Sequence, residues 1–345
     1  MGKFDLNLKK NGDRIHFSDL PKRLVIGIVY AIAFAFALVI VLHNNPLADQ
    51  ETEQLKKICA CILIGLACFI ITFAYDKLLV LPIELWGNRK LIWRLAKNDF
   101  KKRYAGSYMG IVWALVQPVV TVLMYWFVFD RIFQNRAEMV SGGLEVPYVL
   151  FLTAGLVPWF YFTEGLLNGT TSLLEYNYLV KKVLFKISIL PLIKIIAATF
   201  IHLFFTLVMV IVGIGYGYYP NIYTIQIFYY MFCEFILMLA LSYATCSIVI
   251  FFRDLTQIIS IALQLGQWAT PILWNISMIP DRLKWIIKLN PMTYIVEGYR
   301  NSIYGETWFF EHFYSSTYFW IVVVVMFSIG SLIFKRSKVH FADVL

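Results

Sequence analysis

Cationic side chains placed directly before a long apolar run are the residues of this sequence with the clearest chemistry. They lie within residues 97–103 and are Lys97, Lys101, Lys102 and Arg103. Lysine and arginine form charge-assisted hydrogen bonds with phosphate oxygens. The stretch is therefore suited to hold phosphate groups at a membrane surface, a role that rests on charge and requires no catalytic group.

Other chemistries have weaker support. The five histidines are scattered without the spacing of metal ligands, and no GxxxxGK[ST] stretch is present that could cradle nucleotide phosphates. A membrane-embedded glycosyltransferase or ligase would need acidic catalytic residues in a sizeable aqueous loop, and the acidic candidates are isolated from one another: Glu138, Glu145, Asp281 and Glu297. We therefore expect no metal, no cofactor and no catalytic centre in this chain.

The composition is that of a membrane protein. Hydrophobic residues make up 60% of the 345 residues and charged residues only 15%, with a mean hydropathy of +0.70. Soluble domains are about 45–50% apolar and about 25% charged, so the apolar surplus must face lipid. The formal net charge of +9 accompanies no basic soluble domain, which argues against nucleic acid as a partner and favours anionic lipid headgroups.

Eight apolar segments approach the roughly 20 residues that a helix needs to cross the hydrocarbon layer. Because these runs are continuous rather than alternating, they predict helices and not the strands of an outer-membrane barrel. The predicted fold is an all-α integral membrane protein with spans at Leu24–His43, Ile58–Tyr75, Tyr108–Phe129, Val146–Gly169, Ser188–Gly213, Ile225–Phe252, Leu255–Trp274 and Tyr318–Phe334.

The distribution of lysine and arginine predicts the orientation. These residues concentrate in the N-terminal tail, after the second span, after the fourth span and in the C-terminal tail. These connections alternate along the chain, and short cytoplasmic loops are enriched in lysine and arginine. Both termini are therefore predicted to lie in the cytoplasm. Cations on the opposite side that break the pattern include Arg282, Lys284, Lys288 and Arg300.

Residues 83–107 are predicted to contain an amphipathic helix that lies in the cytoplasmic interface of the membrane. With 3.6 residues per helical turn, one side of this helix is apolar and a narrow stripe opposite holds Lys90, Arg94, Lys97 and Lys101. Such a helix places its apolar face at the acyl boundary and its cations among headgroups. Asp99 interrupts the apolar face, which predicts contact with a protein partner or a cation. A solvated charge run beside the membrane is the alternative.

Four stretches of the chain, in this order, resemble the permeases of polysaccharide-exporting ABC transporters, the type-2 exporters of O-antigen, teichoic acid and capsule. They are WRLAKNDFKKRYAGSYMGIVWALVQP (93–118), NYLVKKVLFKISILPL (177–192), FFRDLTQI (251–258) and ATPILWNISMIPDRLKWIIKLNPMTYIVEGYR (269–300). The resemblance covers residues 86–338. Two departures are Lys186, where relatives commonly carry proline, and residues 1–82, which add two spans before the usual six.

This resemblance implies an architecture. Residues 1–82 would form a tail and a two-span hairpin, 83–107 the amphipathic interface helix, and 108–345 a six-span type-2 permease core. Two short re-entrant helices over 275–312 would form an outer gate. The prolines and apolar residues of that stretch also favour such helices, because irregular backbone facing lipid is not tolerated at membrane depth.

The resemblance also implies partners. Two permeases would form a homodimer and carry two ABC ATPase subunits, which would bind ATP and magnesium. The ATPases would dock on short cytoplasmic connections, for which the candidate residues are Glu175, Asn177, Lys181, Lys182, Arg253 and Asp254. For the lysines, ordinary enrichment on the cytoplasmic side is the alternative.

The implied function is export of an undecaprenyl-linked or otherwise lipid-anchored glycan across a bacterial inner membrane. The pyrophosphate of the lipid-linked end would meet the cations of residues 97–103. Aromatic side chains stack on sugar rings and could line the path of a polymer; the candidates are Tyr125, Trp126, Phe129, Trp159, Phe160, Tyr161 and Trp268. An interfacial aromatic belt is the alternative for such residues, and a small lipid or drug is the alternative substrate.

Two ionisable residues, His202 and Glu234, lie inside predicted spans. An unpaired charge is costly there and usually faces a partner or a cavity. The two residues fall at similar depths in consecutive antiparallel spans. The sequence therefore predicts that they hydrogen-bond or share a proton, and separate polar surroundings for each are the alternative.

Overall fold

The computed structural model describes residues 22–42, 80–103, 109–110, 112–132, 137–140, 144–180 and 186–344, with residues 54, 57, 58, 60–62, 64, 65, 68, 69 and 72 before them. The chain divides into two compact units, Met1–Thr72 and Phe73–Leu345. Helices dominate the described part of both units, which confirms the prediction of an all-α membrane protein.

The first unit contains helix α1, Lys22–Leu42, and a set of helical residues between 54 and 72. The hydroxyl groups of Tyr30 and Thr72 hydrogen-bond at 2.9 Å, and Lys57 Nζ donates to the carbonyl oxygen of Val41 over 3.2 Å. These bonds join the two segments, as a two-helix hairpin requires. The other residues of the predicted second span lie outside the described part of the chain.

The second unit opens with helices α2 (Val80–Gly87) and α3 (Arg89–Arg103), separated by Asn88. The Asn88 side chain donates a 2.6 Å hydrogen bond to the carbonyl oxygen of Glu84. Ser188, at the start of a later helix, donates a 2.5 Å hydrogen bond to the Glu84 carboxylate, which ties α2 to the helical bundle. Helix α3 is the amphipathic helix predicted within residues 83–107.

Helix α4, Val112–Trp126, continues as a π-helical turn over Phe127–Ile132. A short antiparallel hairpin follows, formed by strands β1 (Ala137–Val140) and β2 (Leu144–Pro147). The prediction contained no strand here and began the next span at Val146. Proline at 147 lacks a backbone N–H, so it is suited to the end of a strand and to the position before a helix.

Four of the described helices are long and apolar enough to cross a membrane: α5 (Tyr148–Glu175), α7 (Leu190–Gly215), α8 (Gln226–Val249) and α12 (Phe313–Ser337). They correspond to the predicted fourth, fifth, sixth and eighth spans. A single turn, α6 (Asn177–Val180), follows α5. Most residues of α5 are buried, because it packs against both α7 and α8, while α8 also packs against α12.

Glycine allows these helices to approach closely. A Cβ atom at Gly169 of α5 would overlap the hydroxyl of Ser242 in α8, and one at Gly330 of α12 would lie 2.6 Å from the carbonyl oxygen of Ala240. Small residues at helix contacts are typical of membrane bundles, where close packing and hydrogen bonds, rather than the hydrophobic effect, hold helices together.

Helix α9 spans Leu255–Ala269 and is shorter than the predicted seventh span, which extended to Trp274. Thr270 is extended (φ −86°, ψ 141°) and ends the helix. After irregular backbone, helices α10 (Asp281–Leu289) and α11 (Pro291–Ile303) follow, which are the two short helices predicted within 275–312. The turn α13 (Phe341–Val344) follows α12.

The two ends of the bundle differ in charge. Helices α5, α8 and α12 end, and α7 and α9 begin, at one end, which we call the basic end because Arg253, Lys335 and Arg336 lie there. Helices α10 and α11 lie at the opposite end, where α8 and α12 begin. The Gln226 side chain joins those two starts, donating to the carbonyl oxygen of Thr307 and accepting from the backbone N–H of Phe309.

Candidate functional site

The cations of the interface helix α3 are exposed. Lys97, Lys101 and Lys102 all project from one helix into the surroundings, while Ile92 and Ala96 on the other side are buried. The side chain of Arg103 lies outside the described part of the chain. Lys97 and Lys101 share one helix face, and Lys102 lies about 100° around the helix from Lys101. No salt bridge among the described residues neutralises their ammonium groups, and such groups are suited to phosphate oxygens.

The apolar face of α3 packs on protein more than the sequence suggested. The ring of Phe200 in α7 contacts both Trp93 and Phe100, at centroid distances of 5.5 and 5.3 Å. We expected this face to lie in the acyl boundary, and only Leu91 and the outer side of Trp93 remain exposed for that role. Helix α7 covers the rest of this face through Phe200. The sequence of α3 alone gives no sign of this aromatic partner.

Asp99 meets a cation, as predicted. Its Oδ1 atom lies 2.9 Å from Nζ of Lys194 in α7 and also accepts a hydrogen bond from the Tyr176 hydroxyl. Burial and the neighbouring Asp99 carboxylate raise the pKa of Tyr176 above its ordinary value, so Tyr176 remains a hydrogen-bond donor at neutral pH. Lys194 was not singled out from the sequence, although an isolated lysine in an apolar segment is itself a signal of a paired charge.

The six docking candidates do not form one free surface. Glu175 is engaged, since its Oε2 atom lies 2.6 Å from Lys194 Nζ and its Oε1 atom accepts a 2.7 Å hydrogen bond from Thr171. Asn177 is exposed beside it. Arg253 and Asp254 are exposed in the turn between α8 and α9, also at the basic end. Lys181 and Lys182 lie outside the described residues.

Aromatic residues near the end of α4 pack in a row. The rings of Tyr125 and Phe129 lie 6.2 Å apart, and Phe129 lies 5.0 Å from Tyr148 at the start of α5. The guanidinium of Arg131 lies 5.3 Å from the centre of the Trp126 ring. All three predicted aromatics of α4 are partly exposed, and their role in a substrate path stays a prediction.

The aromatics of α5 are placed differently from the prediction. Trp159 faces α9, where its ring would be 2.9 Å from a Cβ atom at Gly266, and Tyr161 faces α7, where its hydroxyl hydrogen-bonds Thr199 at 2.7 Å. Both are buried inside this chain, so neither can line a path along its surface in this conformation. Phe160 is partly exposed, and Trp268 of α9 is exposed with 66% of its surface accessible.

His202 has a partner other than the predicted one. Its Nε2 atom lies 2.7 Å from the Tyr299 hydroxyl of α11, and its ring stacks on Tyr161 at a centroid distance of 4.2 Å. Glu234 is fully buried, and neither of its carboxylate oxygens has a partner in hydrogen-bonding geometry among the described residues. Tyr299 nevertheless interacts with Glu234 electrostatically. The hydrogen-bond partner of His202 is therefore Tyr299 and not the predicted Glu234. The prediction considered only the helices of His202 and Glu234, whereas α5 and α11 also pack around His202.

Arg300, a cation that breaks the positive-inside pattern, is buried where α9 ends. It donates a 2.9 Å hydrogen bond to the carbonyl oxygen of Ile272 and a 2.7 Å hydrogen bond to Glu297, and its guanidinium lies 3.5 Å from the centre of the Phe151 ring. Each contact satisfies the cation inside the protein. The position of Arg300 is therefore explained by its contacts inside the protein, and it gives no information on the orientation of the chain in the membrane.

The irregular backbone after α9 has further side-chain partners. Tyr148 donates a 2.8 Å hydrogen bond to the carbonyl oxygen of Leu273, and Asn290 donates one of 2.8 Å to the Thr270 hydroxyl. The Asn290 oxygen also caps α11 by accepting from the backbone N–H of Met292. These bonds fix α10 and α11 against the main bundle at the opposite end from the interface helix.

Membrane-length helices around a buried α5, with an amphipathic helix packed at the basic end, describe a multi-pass membrane protein. Comparison of sequences names the family. Residues 90–304 match the family described as ABC-2 type transporter, and the chain belongs to it. This confirms the resemblance drawn from the four motifs. A permease of this family works together with an ATP-binding subunit.

Curated relatives agree with this assignment. An O-antigen export system permease protein RfbA from Klebsiella pneumoniae is 27% identical over 254 residues, which cover 73% of this chain and 93% of the relative. A protein of the same name from Myxococcus xanthus is 27% identical over 267 residues, which cover 75% of this chain and 97% of the relative.

Proposed function

We propose that this chain is the permease of an ATP-driven exporter that moves a lipid-linked polysaccharide, foremost an O-antigen, across a bacterial inner membrane. The exposed lysines of α3 carry the proposal, because a row of cations on a helix packed at the basic end suits the phosphate of a lipid carrier. The relatives are named as O-antigen export permeases, which supports the same substrate class.

The orientation and partners belong to the proposal. The basic end faces the cytoplasm, as do both termini, and α10 and α11 lie at the outer face. Two copies of the chain form a homodimer and bind two ABC ATPases, which hold ATP and magnesium. The hairpin of residues 1–82 precedes the interface helix (83–107) and the six-span core (108–345).

The mechanism follows from where the exposed groups lie. ATP binding closes the two ATPases and moves the docking segment, residues 171–186, together with the turn at Arg253 and Asp254. The lysines of α3 hold the pyrophosphate of the lipid-linked glycan beside the bundle. Movement of the helices then opens a path between the two permeases, where partly exposed aromatics such as Phe160 and Trp268 meet the sugar rings.

Deletion of the gene in its source organism tests this function. We expect loss of surface polysaccharide and accumulation of the lipid-linked glycan inside the cell, both restored by the intact gene. Unchanged surface polysaccharide, with accumulation of a small lipid or with drug sensitivity, would instead identify a permease for a small substrate. Absence of the finished lipid-linked glycan from the deletion strain would indicate a glycosyltransferase.

A further inference from the structure

One buried ammonium group connects three elements at the basic end. Lys194 of α7 lies 2.9 Å from Asp99 of the interface helix and 2.6 Å from Glu175, the last residue of α5. The Tyr176 hydroxyl donates to the same Asp99 oxygen, and the Lys194 ammonium lies 5.0 Å from the centre of the Tyr176 ring. We call these four residues the Lys194 cluster.

The cluster lies between two regions that the proposed function must connect. Glu175 and Tyr176 lie within the docking segment, 171–186. Asp99 lies on the same helix as the exposed lysines 97, 101 and 102. A displacement of the end of α5 therefore has two possible outcomes. Either Lys194 transmits the displacement to Asp99, or the ion pairs of Lys194 with Asp99 and Glu175 are broken.

Burial makes the second outcome unfavourable. Only 10% of the Lys194 side chain and 15% of the Asp99 side chain are exposed, whereas 48% of the Glu175 side chain is. A charge removed from its partner in such surroundings has little water to replace that partner. The buried Lys194–Asp99 bond should therefore persist during movement, with Glu175 as the more accessible member.

We propose that Lys194 is a positioning residue that couples the docking segment to the interface helix, so that ATPase movement reaches the cations that hold the glycan phosphate. The inference rests on the proposed function, since it takes 171–186 as the docking segment and α3 as the phosphate site. The apolar contacts of Phe200 with Trp93 and Phe100 hold α3 on α7 independently of these charges. Loss of the cluster should thus impair coupling while α3 stays in place.

The experiment uses the full-length chain, with variants introduced on the chromosome of the source organism. Lys194→Met removes the ammonium, and Lys194→Arg keeps a cation at the same place. A triple variant, Lys194→Met with Asp99→Asn and Glu175→Gln, removes all three charges and leaves no carboxylate without its partner. Lys335→Met, at an exposed cation of the basic end, is the matched control.

Two quantities are measured: surface polysaccharide in cells, and ATP hydrolysis by the permease–ATPase complex purified from them. We expect exported polysaccharide per ATP hydrolysed to fall about fivefold or more in the triple variant, the usual range of coupling between distant sites. Because Glu175 is also a docking candidate, the bound ATPase and its rate of hydrolysis are compared with those of Glu175→Gln alone, which keeps the Lys194–Asp99 pair. Lys194→Arg should retain most export, and Lys335→Met should match the unaltered protein.

The triple variant decides between coupling and a structural role. If the charges serve only to neutralise one another, their joint removal restores what Lys194→Met alone disturbs, and normal export per ATP by the triple variant overturns the proposal. Failure of the triple variant to accumulate also overturns it, because the cluster would then be required for folding. If the unaltered complex exports no polysaccharide, the proposed function itself is wrong, an outcome distinct from both.

Discussion

The hydroxyl of Tyr299 lies 2.7 Å from Nε2 of His202 and joins α11 to α7 in the interior of the bundle. The same nitrogen has a longer contact of 3.3 Å with the Thr206 hydroxyl. Because the site is buried, water cannot replace a lost partner. The bond therefore connects one of the two short helices directly to a membrane-length helix.

Replacing Tyr299 by phenylalanine should destabilise the protein. The ring remains, but His202 loses its shorter hydrogen bond, and an unpaired buried polar group costs about 1–3 kcal/mol. We expect a lower unfolding temperature in detergent for Tyr299→Phe. The exposed Tyr219 provides the control, since Tyr219→Phe should leave the unfolding temperature unchanged. Equal unfolding temperatures for both variants would show that the bond contributes nothing to stability.

Arg300 should not tolerate replacement by lysine. Lysine keeps the charge but lacks the planar fork that reaches both the Ile272 carbonyl oxygen and Glu297. Arg300→Lys should therefore unfold at a temperature several degrees lower than the unaltered protein. Arg282→Lys, an exposed position on α10, is the control, and a loss of stability of the same size there would contradict the assignment of Arg300 as an anchor.

Simultaneous replacement of Lys97, Lys101, Lys102 and Arg103 by glutamine should abolish surface polysaccharide without reducing expression or ATPase binding. Each cation near an anionic surface contributes about 1 kcal/mol, so single changes should have small effects. The exposed cations Lys335, Arg336 and Lys338 provide a control set at the same end of the bundle. Normal export by the fourfold variant would refute a role for these cations in holding phosphate.

Deletion of residues 1–78 should leave a permease that still assembles with its ATPase. The compact second unit begins at Phe73, and since both ends of the hairpin are predicted to lie in the cytoplasm, its removal should keep the orientation of the later spans. Co-purification of the ATPase with the shortened chain tests this. A shortened chain that fails to fold would place the hairpin within the permease core.

The purified chain alone should hydrolyse no ATP above the level of an unrelated membrane protein. Its sequence lacks a phosphate-binding loop, and hydrolysis should begin only when the ABC ATPase is added. ATP turnover by the isolated permease would exclude the assignment of transport to this chain and of ATP hydrolysis to a separate polypeptide.

Elements with a strong repeating pattern were predictable from the sequence. Helix α3 followed from its alternation of cations and apolar residues, and the membrane-length helices followed from unbroken apolar runs. The predicted seventh span extended past Ala269 because its limits followed hydropathy alone, whereas Pro271 disfavours a helical conformation at the preceding Thr270. The side-chain partners of this break were not predictable, since Asn290 donates to the Thr270 hydroxyl and Arg300 to the carbonyl oxygen of Ile272, and both are distant in the sequence.

The partners of single charged groups were less predictable. Asp99 was recognised as out of place, but Lys194 was not singled out, and no local pattern connects residues 95 positions apart. His202 was correctly expected to need a polar partner. Its partner belongs to α11, and the hydrophobic pattern of the sequence does not show how deeply α11 lies in the bundle.

The irregular backbone after α9 has a consequence for how this protein can vary. The acceptors at Ile272 and Leu273 are carbonyl oxygens, which every amino acid provides. The donors are the side chains of Arg300 and Tyr148, the latter 125 positions away. Substitution of Ile272 or Leu273 therefore leaves these two acceptors in place, whereas substitution of Arg300 or Tyr148, which belong to other helices, removes the donors.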